Sequence, residues 1–314
     1  MYFRVQEKSS NFGRPILMYD IEKIIFDNNF RKINMKTNYE IRYASHPNDA
    51  KSYDTARLRK EFLVESLFVA NEVNMVYTLY DRLVVGGAMP VNETLLLEAI
   101  DPLKSDFFLS RREFGTYNVG GAGKIMVDGV AFELGYKEAL YLGAGDRTVT
   151  FESIDAANPA KFYFNSAPAH KTFADRKIAK ADAIVMELGS LETANHRNIN
   201  KMLVCQVLET CQLQMGMTEL QVGSVWNTMP AHTHSRRMEA YFYFEVPEGN
   251  AVCHFMGEPT ETRHIWMQGD QAVISPEWSI HSAAATSNYT FIWGMAGENL
   301  DYSDQNFFKN TELR

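Results

Sequence analysis

Trp226-Asn-Thr-Met-Pro-Ala-His232-Thr-His234-Ser-Arg-Arg-Met-Glu239-Ala-Tyr-Phe-Tyr-Phe-Glu-Val246 sets two histidines one residue apart, then a glutamate, then an aromatic run. In an extended strand, side chains alternate between faces, so the imidazoles of His232 and His234 lie side by side. Glu239 opens the apolar run and can face the same pocket, with Tyr241 and Tyr243 on its side of the strand. His281, in Pro276-Glu-Trp-Ser-Ile-His281, belongs to a further β-like segment that a closed sheet brings round to complete the set. Three imidazoles and one carboxylate suit a borderline divalent metal such as Zn, Mn, Fe, Co or Ni. A His-x-His pair also arises by chance. Here, however, three of the eight histidines fall into one plausible set with a glutamate in place, so the metal reading stands ahead.

The rest of the chain reads as all-β. Val-, Ile-, Tyr- and Phe-rich runs recur between Gly, Asn, Asp and Pro: residues 74–80, 123–127, 130–134, 139–142 and 148–151. Asp128-Gly129 between two of them predicts a two-residue hairpin turn, because Gly accepts positive φ. Many short strands at near-regular spacing predict barrels or double-sheet jelly rolls. The pattern occurs twice, over about 60–175 and about 202–298. The stretch 176–200 is polar, Ala-rich and poorly periodic, and reads as a connector with one helical turn. Histidine ligands occur only in the second half, so the first is expected to hold no metal. Residues 1–34 read as a loosely attached extension.

The 314 residues are 46% hydrophobic and 22% charged, an ordinary globular balance. A formal charge of −8 argues against nonspecific nucleic-acid binding. It does not exclude an anionic substrate held by a local Arg or Lys pocket. Cys205, Cys211 and Cys253 form no Cys-x-x-Cys pair and fit a reducing compartment. No apolar run has signal-peptide or membrane-spanning length. The cytoplasm is the expected location.

The ligand spacing resembles the cupin superfamily, whose first motif is Gly-x5-His-x-His-x3,4-Glu and whose second ends in Pro-x-Gly-x2-His. His232, His234, Glu239, Pro276 and His281 match, while eight residues separate Gly223 from His232 and Trp278 replaces the second-motif glycine. Over roughly Thr55 to Arg314 the chain is similar to the 5-dehydro-4-deoxy-D-glucuronate isomerase family. Leu58-Arg-Lys-Glu-Phe-Leu-Val-Glu65, Gly120-Gly-Ala-Gly123, residues 159–170, Val207-Leu-Glu-Thr-Cys-Gln-Leu213, residues 220–245 and Thr290-Phe-Ile-Trp-Gly-Met295 carry that likeness. The resemblance implies a bicupin of two tandem jelly-roll β-barrels, with residues 35–190 forming the first and 191–314 the second. It also implies one divalent ion per subunit, zinc, in the second barrel, and a homohexamer. The implied reaction converts 5-dehydro-4-deoxy-D-glucuronate to 3-deoxy-D-glycero-2,5-hexodiulosonate in pectin and uronate breakdown. The sister family of 5-deoxyglucuronate isomerases of inositol breakdown shares the fold.

Such an isomerisation needs a proton taken next to a carbonyl and returned one carbon away. Tyr241, Tyr243 and a metal-bound hydroxide are all candidates for that work. The substrate carboxylate calls for a cation, preferably an Arg fork. Arg236 and Arg237 lie in the ligand loop, and Arg112, Lys161 and Arg263 lie on strands expected near a barrel mouth; Trp226 is a candidate pocket wall. His254 and His264 read as packed or hydrogen-bonded. The rival chemistry for this ligand set is a dioxygen-dependent cupin oxygenase, and the non-catalytic rival is a sugar-binding bicupin.

Overall fold

The computed structural model describes residues 33–34, 36–298, 301 and 303–314. The extension expected over 1–34 therefore lies outside the described residues, except that Ile33–Asn34 pair in parallel with Thr94–Leu95. The described chain is mostly β-sheet, with two short helices, Pro47–Ala50 and Thr55–Phe62. Asp54 caps the longer helix, its carboxylate accepting the Arg57 amide at 2.8 Å. No described helix is long and apolar enough to cross a membrane.

Strands from the first half form two sheets that enclose a core. The smaller orders Ile33–Asn34, Thr94–Leu96, Val149–Ser153, Gly123–Val127 and Val130–Leu134. The larger orders Arg176–Ile178, Ala139–Leu142, Arg112–Asn118, Phe162–Pro168, Val84–Ala88, Val73–Thr78 and Thr37–Arg42. Period-two alternation turns Ile125, Val127 and Phe151 of one sheet toward Phe114, Phe162 and Phe164 of the other, all fully buried. The expected hairpin forms at Asp128-Gly129, where φ is +49° and +86° and Val127 pairs with Val130.

A second large sheet orders Ile184–Leu188, Arg197–Leu203, Gln214–Leu220, Thr290–Gly297, Arg237–Phe244, Gln271–Ser275 and Leu63–Val64. A four-stranded sheet, Trp226–Asn227, Ser282–Ala285, Val252–Glu258 and Glu261–Met267, accompanies it. His232–His234 pairs separately with Gln305–Phe307. The segment read as a polar connector thus contains the strands Arg176–Ile178 and Ile184–Leu188 and the start of Arg197–Leu203, with one 3-10 turn at Lys180–Asp182. Its polar residues misled because Asn198 and Asn200 alternate with Arg197, Ile199 and Lys201, so neither face shows an apolar stripe.

The two large sheets pack against each other. Phe242 stacks on Tyr163 with ring centroids 4.4 Å apart. At Gly294 a Cβ would lie 1.9 Å from Asn165 Oδ1, so glycine permits this close approach. Glu113, on the first sheet, accepts the amides of Cys211, Gln212 and Leu213 at 2.8, 2.7 and 2.6 Å, tying a loop of the second half to it. Leu63–Val64 carries the tie the other way, pairing with Ala272–Val273 at the edge of the second sheet.

Candidate metal centre

Alternation along Arg237–Phe244 divides its labour. Met238, Ala240, Phe242 and Phe244 belong to the buried apolar core. Glu239, Tyr241 and Tyr243 take the other face. His232 and His234 lie on the short strand beside it, and His281 arrives from the turn before Ser282–Ala285 in the four-stranded sheet. One ligand atom from each of His232, His234, Glu239 and His281 falls within 4.8 Å of all the others, and all four residues are buried. His234 Nε2 is 2.7 Å from Glu239 Oε1, His281 Nε2 is 3.1 Å from His232 Nε2, and His281 Nε2 is 3.8 Å from Glu239 Oε2. Ligands about 2.0–2.1 Å from a tetrahedral ion stand roughly 3.3 Å apart, so these spacings bracket that geometry. His234 Nε2 is buried and meets Glu239 Oε1 at ion-pair distance without hydrogen-bond geometry. Convergent donors around such a buried nitrogen fit a divalent ion.

The electrostatics agree. Burial pushes His232 down to about 4 and His281 well below its ordinary value, so both imidazoles are neutral donors at physiological pH. Burial raises the Glu239 carboxyl, but His281 and His234 outweigh it and hold the group well below the usual carboxylate range. Behind His234, Asp304 Oδ2 lies 3.3 Å from Nδ1, and Arg237 Nη2 holds Asp304 Oδ1 at 2.5 Å. Gln305 Nε2 is 3.2 Å from His232 Nε2. The C-terminal strand therefore closes one side of the cluster.

A cleft of about 400 Å³ opens onto His232, Glu239 and Tyr241. Phe291, Trp293 and Met295 form an apolar part of the lining, and Arg197, Ile199 and Lys201 lie two strands away in the same sheet. Tyr241 is in register with Trp293, Trp293 with Gly216, and Gly216 with Lys201, so one sheet face supplies much of the lining. A Cβ on Gly216 would come within 2.0 Å of Trp293 Cζ2, so glycine lets the indole lie across that strand.

Of the two tyrosines, Tyr241 lines the cleft, with Oη 3.1 Å from Thr228 Oγ1. Burial and the Glu239 charge raise its phenol well above the usual value, so it stays protonated. Tyr243 lies deeper, its Oη 2.8 Å from Nδ1 of the buried His254. None of the six residues proposed from sequence for substrate contact lines this cleft. Arg112 is buried in the first half, donating to Ser166 Oγ at 3.1 Å and Arg82 O at 2.7 Å. Arg237 is committed to Asp304, Arg236 pairs with Asp301 at 2.8 Å, and Lys161 with Asp270 at 2.5 Å. Arg263 pairs with Glu261 at 2.8 Å, and Trp226 stacks on Phe255 with centroids 5.7 Å apart. Of the cations that do line the cleft, Arg197 sits in the stretch read as a connector and Lys201 lies one residue beyond it. Their spacing of two residues around Ile199 was the available signal.

The sequence profile of the KduI/IolB family matches residues 62–313. The chain belongs to the KduI/IolB family. A 4-deoxy-L-threo-5-hexosulose-uronate ketol-isomerase 1 of Bacteroides thetaiotaomicron is 75% identical over 280 residues, 89% of this chain and 100% of the relative. The ketol-isomerases of that name from Formosa agariphila and Lachnoclostridium phytofermentans are 61% and 54% identical, over 89% and 88% of this chain and 100% of each relative. A solved IolB-like protein of Salmonella typhimurium shares the fold of this KduI/IolB member at a TM-score of 0.64 and 15% identity, covering 79% of this chain and 96% of that one.

Proposed function

We propose that this KduI/IolB protein is an aldose–ketose isomerase converting 5-dehydro-4-deoxy-D-glucuronate to 3-deoxy-D-glycero-2,5-hexodiulosonate in uronate breakdown. The observation that carries the reading is the match, at 75% identity, over the whole length of a relative bearing the ketol-isomerase name. The same names favour it over the inositol-pathway isomerase and the oxygenase.

His232, His234, Glu239 and His281 would hold one divalent ion, zinc in this reading. The chemistry it supplies when bound is stabilisation of negative charge developing on substrate oxygens. The neutral imidazoles of His232 and His281 and the ionised Glu239 need no proton loss to serve as donors. Tyr241 keeps its proton at Oη and donates a hydrogen bond to the oxygen on which charge develops. Phe291, Trp293 and Met295 keep water from the reacting carbons.

In the same reading, residues 35–190 and 191–314 are two cupin barrels, the first without metal, and 1–34 is an extension. A large sheet with a smaller companion in each half supports it. The assembly is a cytoplasmic homohexamer. Support for a partner subunit comes from the edge strand Ile184–Leu188, where Ile184, Val185, Met186 and Leu188 are all exposed. Sedimentation as a monomer at micromolar concentration would contradict that assembly.

Metal-loaded protein and substrate deuterated at C2 test the activity and its route. Proton transfer predicts slower turnover and solvent hydrogen at C1 of the product. Full transfer of the label to C1 would replace this route with hydride transfer. No carbonyl migration at all would sink the function.

A further inference from the structure

The cleft carries two cations, Arg197 and Lys201, and Glu239 is the one carboxylate among the described lining residues. That carboxylate is engaged by the imidazoles, which leaves Arg197 as a cation facing the cleft although the chain as a whole is at −8. Arg197 is half-buried and spends one donor on the Asn195 carbonyl, at 2.9 Å. No carboxylate pairs with it among the described residues. Burial lowers its pKa, the mark of a cation held without a compensating charge. Met186, Leu188 and Ile199 line the same side of the cleft. A guanidinium in such surroundings gains most from a planar anion that accepts two parallel N–H bonds.

We infer that Arg197 anchors the terminal carboxylate of the substrate and restricts the cleft to acids. This rests on the proposed isomerase activity. In the open-chain uronate the reacting carbonyl and the carboxylate occupy opposite ends. Arg197–Leu203 lies three strands from Arg237–Phe244 in one sheet, Arg197 and Glu239 line the same cleft, and the Arg197 guanidinium is near enough to Tyr241 to interact with it electrostatically. With C1 at the His/Glu cluster, the chain runs along the cleft toward Arg197, whose side chain meets C6. Lys201, two positions beyond Ile199 on the same face, adds long-range attraction. The fork geometry belongs to Arg197.

The test is steady-state kinetics of the metal-loaded Arg197→Met and Arg197→Lys variants. Substrates are the uronate and its neutral analogue, in which the carboxylate is reduced to a primary alcohol; metal content is measured alongside. Arg197→Met should raise KM for the acid by roughly 10- to 100-fold, as expected for loss of a charge-assisted contact, with a smaller effect on kcat. Arg197→Lys should fall between, and neither variant should change turnover of the neutral analogue or metal content. An unchanged KM for the acid, or an equal loss on the neutral analogue, overturns the assignment. Should Arg197→Met fail to fold, Arg197→Lys decides alone, and wild-type KM there overturns it. A wild-type protein inactive on the acid overturns the isomerase reading and this inference with it. An active wild type with insensitive variants overturns this inference only.

Discussion

Asp304 Oδ2 stands 3.3 Å from Nδ1 of His234, inside a pair whose side chains are about 1% and 2% exposed. Arg237 Nε donates to the same Nδ1 at 3.3 Å, so the buried Arg237–Asp304 pair holds the ring from behind while its Nε2 faces the other donors. Asp304→Asn should lower metal affinity by about 10- to 100-fold, measured by chelator competition. It also strands the buried Arg237 guanidinium, at a cost of about 3–5 kcal/mol. The Arg237→Met, Asp304→Asn double variant removes that second penalty. Wild-type affinity in the double variant would show that Asp304 serves Arg237 alone.

His281→Ala should cost more metal than any change behind the ligands. It removes one of four convergent donors, while the sheets on either side keep their pairing. Elemental analysis should show occupancy lowered by more than roughly tenfold, with far-UV circular dichroism unchanged. Full occupancy would exclude His281 from the ligand set.

His254 gives a pH signature separate from the ligands. Burial pushes its pKa down from 6.5 to about 3, so the folded state resists a proton that the unfolded chain accepts. The stability associated with the neutral ring is present above pH 6.5 and is lost as pH falls from 6.5 toward about 3. In metal-stripped protein, His254→Gln should flatten the acid slope by about 1.4 kcal/mol per pH unit across that window. Parallel denaturation slopes for the two proteins would contradict the buried-neutral assignment.

Deleting residues 1–32 should leave turnover, metal content and assembly near wild type. The ketol-isomerase relative at 75% identity is matched along its whole length by 280 residues of this chain. Stopping at 32 spares the Ile33–Asn34 pairing with Thr94–Leu95. Loss of the oligomer on deletion would show that the segment docks between subunits.

The cluster that could hold a metal was readable from sequence because residue type and alternation both declare it: His232 and His234 share a strand face, and Glu239 lies in the next strand. The hairpin at Asp128-Gly129 was equally plain, since few pairs accept two positive φ values. The cations of the cleft were not. Arg197 and Lys201 lie on a strand whose opposite face holds Asn198 and Asn200, and Asn200 is buried with its amide on Met217 O at 3.3 Å. Without an apolar stripe, such a strand has no periodic signature. Arg112 and Arg237 misled for the converse reason. Charge suggests exposure, yet both are buried, each satisfied by neighbours no local pattern reveals.

Leu63–Val64, contributed by the first half, is the strand that ends the sheet carrying Glu239. A fragment cut between the halves would leave Gln271–Ser275 as a bare edge, its amides unpaired beside the buried Ala272, Val273 and Ile274. Such an edge is a template for aggregation. Dividing this protein into soluble parts therefore requires expressing both pieces together, so that the first supplies the strand as the second folds.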